Sequence, residues 1–593
     1  MDVVLRAGKI SVSLPADRIE GRIDMFGNVP KRFIPDPEYL PELIFAHPDI
    51  QYVHYRKTLN ACDMILHEGI REERGRRDRM AVIDLNENKR FTFGQLERMV
   101  NRMACALKKL GVNPGDRVLW SLEERVEAIV SQLAIWKIGA VSVPSSVTER
   151  ARELGWMIAD TEAVLVITQP GQYGELEKAA EQIKSVKWVI LTDRDAAANK
   201  SGTSTLNLPV FYWDDLMAEN EEMEICHPNA PLDVSSIFYT GGTTGRPKGC
   251  IQTHAGEVVI SDLNLKHVRA ITWQDVMFTH APIGHAFGNC EKINHPLRAG
   301  CTVVLKNRPR PEQVWNILAE CGVTIMAGAP TMYQMMLNQL PSGFDPKKLK
   351  LRICFCSGEY LTNSLYDRWK NLTGVPLSNA VGTSPMREAF IDSVSRGSKI
   401  APGTSVGRPI PGYEVKLLRE DGSEAKWGEM GRLAVRGPTG IAYWKNIHPN
   451  IEQKNREDIR DGWSLIDDAF EFDREGWLWF KTRLDNMIVS GGRQIAATEV
   501  EEVVGNHPAV ERIAVVGVPD EERGQIVKAF IQLKPGIVAS EELKHDIREY
   551  AKANMAVYKC PRLIEFVPEI SLDKVGKIQR RNLRESSQRE ARG

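Results

Sequence analysis

The sequence predicts an α/β protein. It reads as a large N-terminal domain of layered, mostly parallel sheets plus a small β-rich subdomain, followed by a small α+β C-terminal domain. Three observations carry this. Short apolar runs alternate with helical periods from about residue 80. Past residue 400 the runs shorten and are separated by turn dipeptides. The end of the chain returns to strands and turns and then to one amphipathic helix.

Residues 1–60 are proline-rich and irregular, and "VPKRFIPDPEYLPELIFAHPD" suggests an extended arm over a neighbouring surface. "RVLW" (117–120) is a short apolar run. "EERVEAIVSQLAIWKIG" (123–139) spaces its apolar residues helically and stops at Gly139, and "AVSVP" (140–144) is a strand again. The pattern repeats, with the helical "GELEKAAEQIKSV" (174–186) between "AVLVIT" (163–168) and "WVILTD" (188–193). Such alternation predicts a parallel sheet with helices on its faces. "DAAANKSGTSTLNLP" (195–209) reads as a polar surface loop. Residues 406–440 hold short β-like runs, 509–536 are strands and turns, and "SEELKHDIREYAKANM" (540–555) is an amphipathic helix. The expected divisions are an arm over 1–60, a large domain over 61–484 with its β-rich part at about 400–480, and a small domain over 485–593.

A chain of 593 residues needs more than one core. Its 77 basic and 78 acidic residues give a net charge of −1, which argues against binding nucleic acid by bulk phosphate neutralisation. The ten cysteines form no CxxC pair, and Cys354 and Cys356 fall in "LRICFCSG", which reads as a buried strand. Free thiols in a reducing compartment are the expectation. No apolar run approaches the ~18–20 residues of a membrane span, and the N-terminus lacks a signal peptide's apolar run, so the expected location is cytoplasmic.

The chemistry concentrates in "FYTGGTTGRPKGC" (238–250). A Walker loop needs its lysine after a glycine and before Ser or Thr, whereas Lys248 follows Pro247 and precedes Gly249. The string still suits polyphosphate. Gly241, Gly242 and Gly245 allow backbone N–H groups to converge on an anion, Thr240, Thr243 and Thr244 add hydroxyls, and Lys248 adds a charge. The preceding "SSIFY" reads as a strand, which sets the loop at a strand end.

"YTGGTTGRPKG" resembles the signature of the AMP-forming adenylating enzymes, among them the acyl-CoA synthetases. The resemblance runs from about 60 to 585 in the family's motif order, through "WKIGAVSVP", "GRPIPGYEVKLL", "GEMGRLAVRGPTG", "DGWSLIDDAFEFDREGWLWFKTRLDNMIVSGGRQIAATEVE" and "GKIQR". It implies an acid–thiol ligase that makes an acyl-adenylate and pyrophosphate from a carboxylate and MgATP, then an acyl-CoA and AMP, with a mobile C-terminal domain. ATP, Mg2+ and CoA are the implied cofactors, and a small carboxylic acid is the implied partner. No nucleic acid or membrane span is expected, and the expected state is monomer or homodimer.

The resemblance also implies roles. The 240–249 loop holds the β- and γ-phosphates, and Lys577 meets the bond-forming oxygens between carboxylate and α-phosphate. Asp468 accepts from the ribose hydroxyls, with Asp467 as a competitor because Ile466-Asp467 replaces the family's usual Thr-Gly. Arg483 lies near ribose and phosphate, Asp485 at the hinge, and Gly492 along the pantetheine tunnel. Ser357, Gly358 and Glu359 hold adenine. In "NAVGTSPMREAF" the family's phosphate-binding Thr and magnesium-binding Glu fall at Ser384 and Pro385, after Val381, Gly382 and Thr383. Ser384 keeps a hydroxyl, whereas Pro385 has no side-chain oxygen for a metal. Magnesium is then held by ATP and water alone, another acid such as Glu388 helps, or the first half-reaction is weakened.

"APIGHAFGN" (281–289) falls where the family lines its acyl pocket, with His285 and Phe287 as wall candidates. Within the family, "RARELGWMIADTEAVLVIT", "HPLRAGCTVVL" and "GAPTMYQMML" are most similar to benzoate and 2-aminobenzoate CoA ligases, which implies an aromatic or compact acid. An aliphatic short- or medium-chain acid, a carrier-protein thiol or amine as acceptor, and a catalytically impaired nucleotide-binding homologue are the competing readings.

Overall fold

The structure, a computed structural model, describes residues 3–6, 9–12, 25–194, 206–240, 247–394, 401–490, 493–520, 523–571, 578, 580, 582–584 and 587. It divides into two compact units. The first holds the described residues of Met1–Arg6, Ile10–Val415 and Val435–Leu465, the second those of Ala7–Lys9, Lys416–Ala434 and Ile466–Gly593.

The first unit contains two large sheets. One has seven strands in the order Lys248–Thr253, Val234–Thr240, Val141–Ser145, Arg117–Ser121, Leu165–Thr168, Trp188–Leu191 and Val210–Tyr212. All neighbours are parallel except the first pair, a hairpin. The other has nine strands in the order Arg408–Pro409, Ala389–Asp392, Leu377–Gly382, Ile353–Ser357, Ile325–Gly328, Val276–Thr279, Thr302–Leu305, Met80–Asp84 and Lys89–Thr92. Its middle six run parallel, and antiparallel strands close both rims.

The helix Val126–Lys137 shows why alternation was legible. Eleven of its twelve residues are buried, so it is enclosed all round rather than amphipathic. Trp136 at its end donates from Nε1 to Ser235 O at 3.1 Å. The helical period expected over 174–186 is realised earlier, as Pro170–Lys178 followed by a tighter turn at Ala180–Gln182. Pro170, in the first turn, has no N–H to lose and sets the start. Cys354 and Cys356 lie in the buried strand Ile353–Ser357, and all ten cysteines are free thiols. Most of the surface loop expected at 195–209 lies outside the described residues.

Residues 25–60 are integrated more deeply than an overlying arm. Phe33 is fully buried and stacks on Trp444 with ring centroids 4.5 Å apart. Glu42 N–H donates to Gly462 O at 2.9 Å, and Ile44 N–H to Gly437 O at 2.8 Å.

The second unit carries the sheet Arg493–Ala496, Met487–Ser490, Gly524–Leu533, Val510–Asp520, with Leu563–Phe566 added parallel to Gly524–Leu533. Helices Ala497–Gly505 and Glu541–Asn554 supply Val500, Val504, Ile547 and Ala551 to its core. The β-rich stretch forms a sheet of Glu414–Leu418, Met430–Arg436, Trp463–Phe472 and Ile459–Arg460, with Leu478–Arg483 also on Trp463–Phe472. The division between units falls within these strands, so the second unit begins before residue 485. No helix among the described residues is long and apolar enough to cross a membrane.

Candidate active site

The candidates of the first unit gather where its parallel strands end, the edge at which open α/β sheets bind ligands. Strands Ile353–Ser357 and Leu377–Gly382 are parallel neighbours with Ser357 opposite Ala380. Ser357 Oγ donates to Ala380 O at 3.1 Å. Gly358 then turns the chain at φ +87°. Glu359 Oε2 accepts from Thr331 N–H at 3.0 Å and Thr331 Oγ at 2.6 Å, which fixes this segment to helix Pro330–Asn338.

On the next strand, Val381 is buried opposite Ile391. A Cβ at Gly382 would lie 2.7 Å from Ala389 N and 2.8 Å from Glu388 C, so only glycine fits. Thr383 and Ser384 follow, half-buried. Thr383 Oγ accepts from Met386 N–H at 3.4 Å, and Ser384 O from Arg387 N–H at 3.1 Å. Gln252 Nε2 donates to Ser384 O at 3.0 Å and Pro385 O at 3.3 Å. Gln252 shares strand Lys248–Thr253 with Lys248, and Thr240 and Lys248 face each other across the hairpin. The chain leaves the sheet at Thr240 and re-enters it at Lys248, on the strand whose Gln252 holds the Thr383–Ser384 turn. Lys248 Nζ lies 5.5 Å from the centre of the Tyr443 ring. Gly241, Gly242, Thr243, Thr244 and Gly245 lie outside the described residues.

Arg387, which the sequence reading missed, builds this turn. It is buried at φ +76°, and its Nε donates to Glu257 Oε2 at 2.7 Å. Its other nitrogens reach Ala286 O at 2.8 Å and Asn289 Oδ1 at 2.7 Å. It thereby joins the turn to the segment carrying His285 and Phe287.

Pro385 is buried and offers no oxygen from its side chain. Glu388, the acid offered in its place, groups with Cys290 and His295, their ligand atoms within 4.8 Å of one another. It is buried, with Oε2 3.7 Å from His295 Nε2 and Oε1 3.9 Å from Arg269. Burial acts to raise its pKa, yet His295 and Arg269 together hold the carboxyl below its usual range. Arg269 itself forks onto Glu291 at 2.6 and 2.7 Å. The donors the turn can offer are hydroxyls, and these do not fit a carboxylate-held cation.

His285 caps helix Ala286–Asn289, its N–H donating to Pro282 O at 3.0 Å. Phe287 packs on Phe355 with centroids 5.9 Å apart. A buried ion pair anchors the start of this segment. Lys292 Nζ, fully buried, bonds to Glu124 and to Ala281 O, while Glu124 Oε1 accepts from Ile283 N–H at 2.9 Å. Burial raises Glu124 and lowers Lys292. His280, just past strand Val276–Thr279, is a further residue the sequence reading missed. Its ring lies over Gly328, whose Cβ would meet it at 3.0 Å, and no described group bonds to its Nδ1. Burial lowers its pKa to about 3, so the imidazole is neutral. Its position at a parallel strand's end was the available signal.

Within the second unit, Asp468 and Arg483 are opposite residues on antiparallel strands, with Oδ1 and Nε 3.6 Å apart. Asp467 points to the other face, where Arg432 donates to its Oδ1 at 2.8 Å. Asp485 lies in the tight turn Leu484–Asn486. Gly492 and Lys577 lie outside the described residues.

The first unit thus offers turns at the ends of mostly parallel strands, and the second holds the opposed pair Asp468 and Arg483. Residues 71–443 match the family of AMP-binding enzymes, and residues 499–577 match the AMP-binding enzyme C-terminal domain. The chain is 30% identical over 529 residues to the benzoate–CoA ligase of Thauera aromatica, covering 88% of this chain and 95% of that one. It is 28% identical over 532 residues to the 3-hydroxybenzoate–CoA ligase of Aromatoleum sp. (strain CIB), covering 89% and 97%. Among solved structures, the anthranilate CoA ligase AuaEII in complex with anthranoyl-AMP superposes with a TM-score of 0.81 at 28% identity, over 91% of this chain and 99% of that one. The chain belongs to the AMP-binding enzymes, and within them it is an AMP-forming acid–thiol ligase using ATP and CoA.

Proposed function

We propose that this ligase activates an aromatic carboxylate of benzoate size. The observation that carries the reading is its full-length similarity to ligases named for benzoate, 3-hydroxybenzoate and anthranilate. Phe287, half-buried against the fully buried Phe355, and the neutral imidazole of His280 are the wall we assign to that ring, since a mainly apolar site with a few polar groups suits a ring carrying one substituent.

In this reading a carboxylate oxygen attacks the α-phosphorus of MgATP, and the bond to pyrophosphate breaks. The CoA sulfur then attacks the adenylate carbonyl, AMP leaves, and the thiol proton passes to solvent. A carboxylate is anionic, so the barrier falls mainly by charge stabilisation and positioning. Thr240, Lys248 and the intervening loop hold the outer phosphates, and Ser384 with Thr383 supplies hydroxyl donors. Ser357, Gly358 and Glu359 hold adenine, Asp468 the ribose, and Arg483 the ribose–phosphate side. Lys577 meets the α-phosphate oxygens, Gly492 leaves room for pantetheine, and Asp485 is the pivot. Ten free thiols fit a cytoplasmic enzyme.

The test is pyrophosphate release from MgATP across benzoate, hydroxybenzoates, 2-aminobenzoate and C2–C10 fatty acids, with and without CoA. CoA-dependent turnover should favour the aromatic acids, and a higher kcat/KM for acetate or a fatty acid would overturn the reading. Lys577→Ala should lower pyrophosphate release by about 10²–10³-fold, the usual scale for losing one transition-state charge partner, while ATP binding measured by calorimetry stays within about threefold.

A further inference from the structure

The enclosed helix Val126–Lys137 ends on a lysine that is fully buried. Lys137 Nζ donates to Glu224 O at 3.0 Å and lies 3.1 Å from His67 Nε2 and 3.6 Å from Cys226 Sγ. The other nitrogen of His67 faces Glu97 Oε1 at 3.2 Å. Cys62, His67 and Cys226 bring their sulfur and nitrogen atoms within 4.8 Å of one another. Cys62 and His67 are five residues apart, and the wide turn Asp63–His67, closed by Glu68 N–H on Asp63 O, brings residues at that spacing together.

A buried ammonium is stable only with an anion beside it. Glu97 is not in direct contact with Lys137, and Arg77 takes its Oε2 at 2.7 Å. Asp63 is forked by Arg71 at 2.7 and 3.1 Å. The group on Nζ that can become anionic is the Cys226 thiol. The hydrogen bond from Cys62, then His67 and Lys137, hold that thiol below its usual range, whereas burial pushes Cys62 up. The two sulfurs thus differ in character. Cys62 is fully buried, while Cys226 is half-buried and follows Ile225, which is 82% exposed.

We propose that Cys226 is an oxidant-sensitive nucleophile and Cys62 its resolving partner, the pair forming a reversible disulfide. With a hydroperoxide as oxidant, the Cys226 thiolate attacks one peroxide oxygen, the O–O bond breaks, and a sulfenic acid forms. With hydrogen peroxide the other oxygen leaves as hydroxide, which takes up a proton to become water. Cys62 then attacks the Cys226 sulfur as its own proton is lost, and the sulfenic oxygen leaves as a second water. Two electrons pass from the thiols to the peroxide. The bond would tie the helical turn at 62–67 to the segment leading into strand Val234–Thr240, whose far end opens into the glycine-rich loop.

The test treats the full chain with hydrogen peroxide, blocks remaining thiols with N-ethylmaleimide and maps peptides without reduction. A 62–226 cross-linked peptide that dithiothreitol releases is expected, and Cys62→Ser should instead trap a dimedone adduct on Cys226. Cys105 and Cys321, also half-buried, serve as internal references. At pH 6, Cys226 should react with iodoacetamide at least about tenfold faster than either. Equal rates with no 62–226 peptide would overturn the proposal. So would stoichiometric Co2+ uptake with a thiolate–metal absorption band lost in Cys226→Ser, which would make the cluster a metal site.

Discussion

Arg387 shows how one side chain holds the turn that carries Thr383 and Ser384. Its guanidinium spends its donors on Glu257, Ala286 O and Asn289, all buried, and its backbone sits in the left-handed region. Removing it leaves the Glu257 carboxylate buried without its cation, so Arg387→Ala should cost about 3–5 kcal/mol, measured by urea unfolding. The sequence made Thr383 and Ser384 legible because their hydroxyls suit phosphate. It passed over Arg387 and left Glu388 ambiguous because their partners, Glu257, Arg269 and His295, are about a hundred residues away. It also left Asp467 and Asp468 competing, since adjacent strand residues face opposite ways and only the neighbouring strands reveal that Arg432 takes one and Arg483 the other.

At the scale of elements, the segment from Pro282 to Asn289 is positioned from below rather than by its own helix of four residues. Lys292 and Glu124 form the support, linking the helical turn Cys290–Asn294 to the start of that segment. Lys292→Met alone should destabilise by about 3–5 kcal/mol, because it strands a buried carboxylate. Adding Glu124→Gln should recover about 1–3 kcal/mol of that loss, and a double-mutant cycle in urea measures the coupling. Strand and helix alternation over 117–193 was legible because each run is long enough to show its period. The helical start at Pro170 was missed because a proline reads as a breaker before it reads as a first-turn residue.

At the scale of the molecule, one buried acid ties distant parts of the first unit together. Asp160 accepts from Tyr239 OH at 2.6 Å and from Ile447 N–H at 3.1 Å, and burial raises its pKa to about 6. An acid whose folded pKa is raised stabilises fully below its unfolded value, and that contribution is lost as pH rises through the folded one. Stability should therefore fall between about pH 4 and pH 6 from this group and level above it. In Asp160→Asn the corresponding slope of Tm against pH should flatten over that window. The order of the motifs made the family and its two-part organisation legible. The place of division was not, because it falls inside strands with the same period on either side.

The bonds from Glu42 to Gly462 and from Ile44 to Gly437 have a consequence in time. Synthesis at about 5–20 residues per second makes the first residues wait roughly 20–80 s for partners some four hundred positions downstream. Throughout that interval Phe33 has no Trp444 to stack on. Phe33 and the backbone of Glu42 and Ile44 thus need sheltering until residues 437–462 have followed them out of the ribosome.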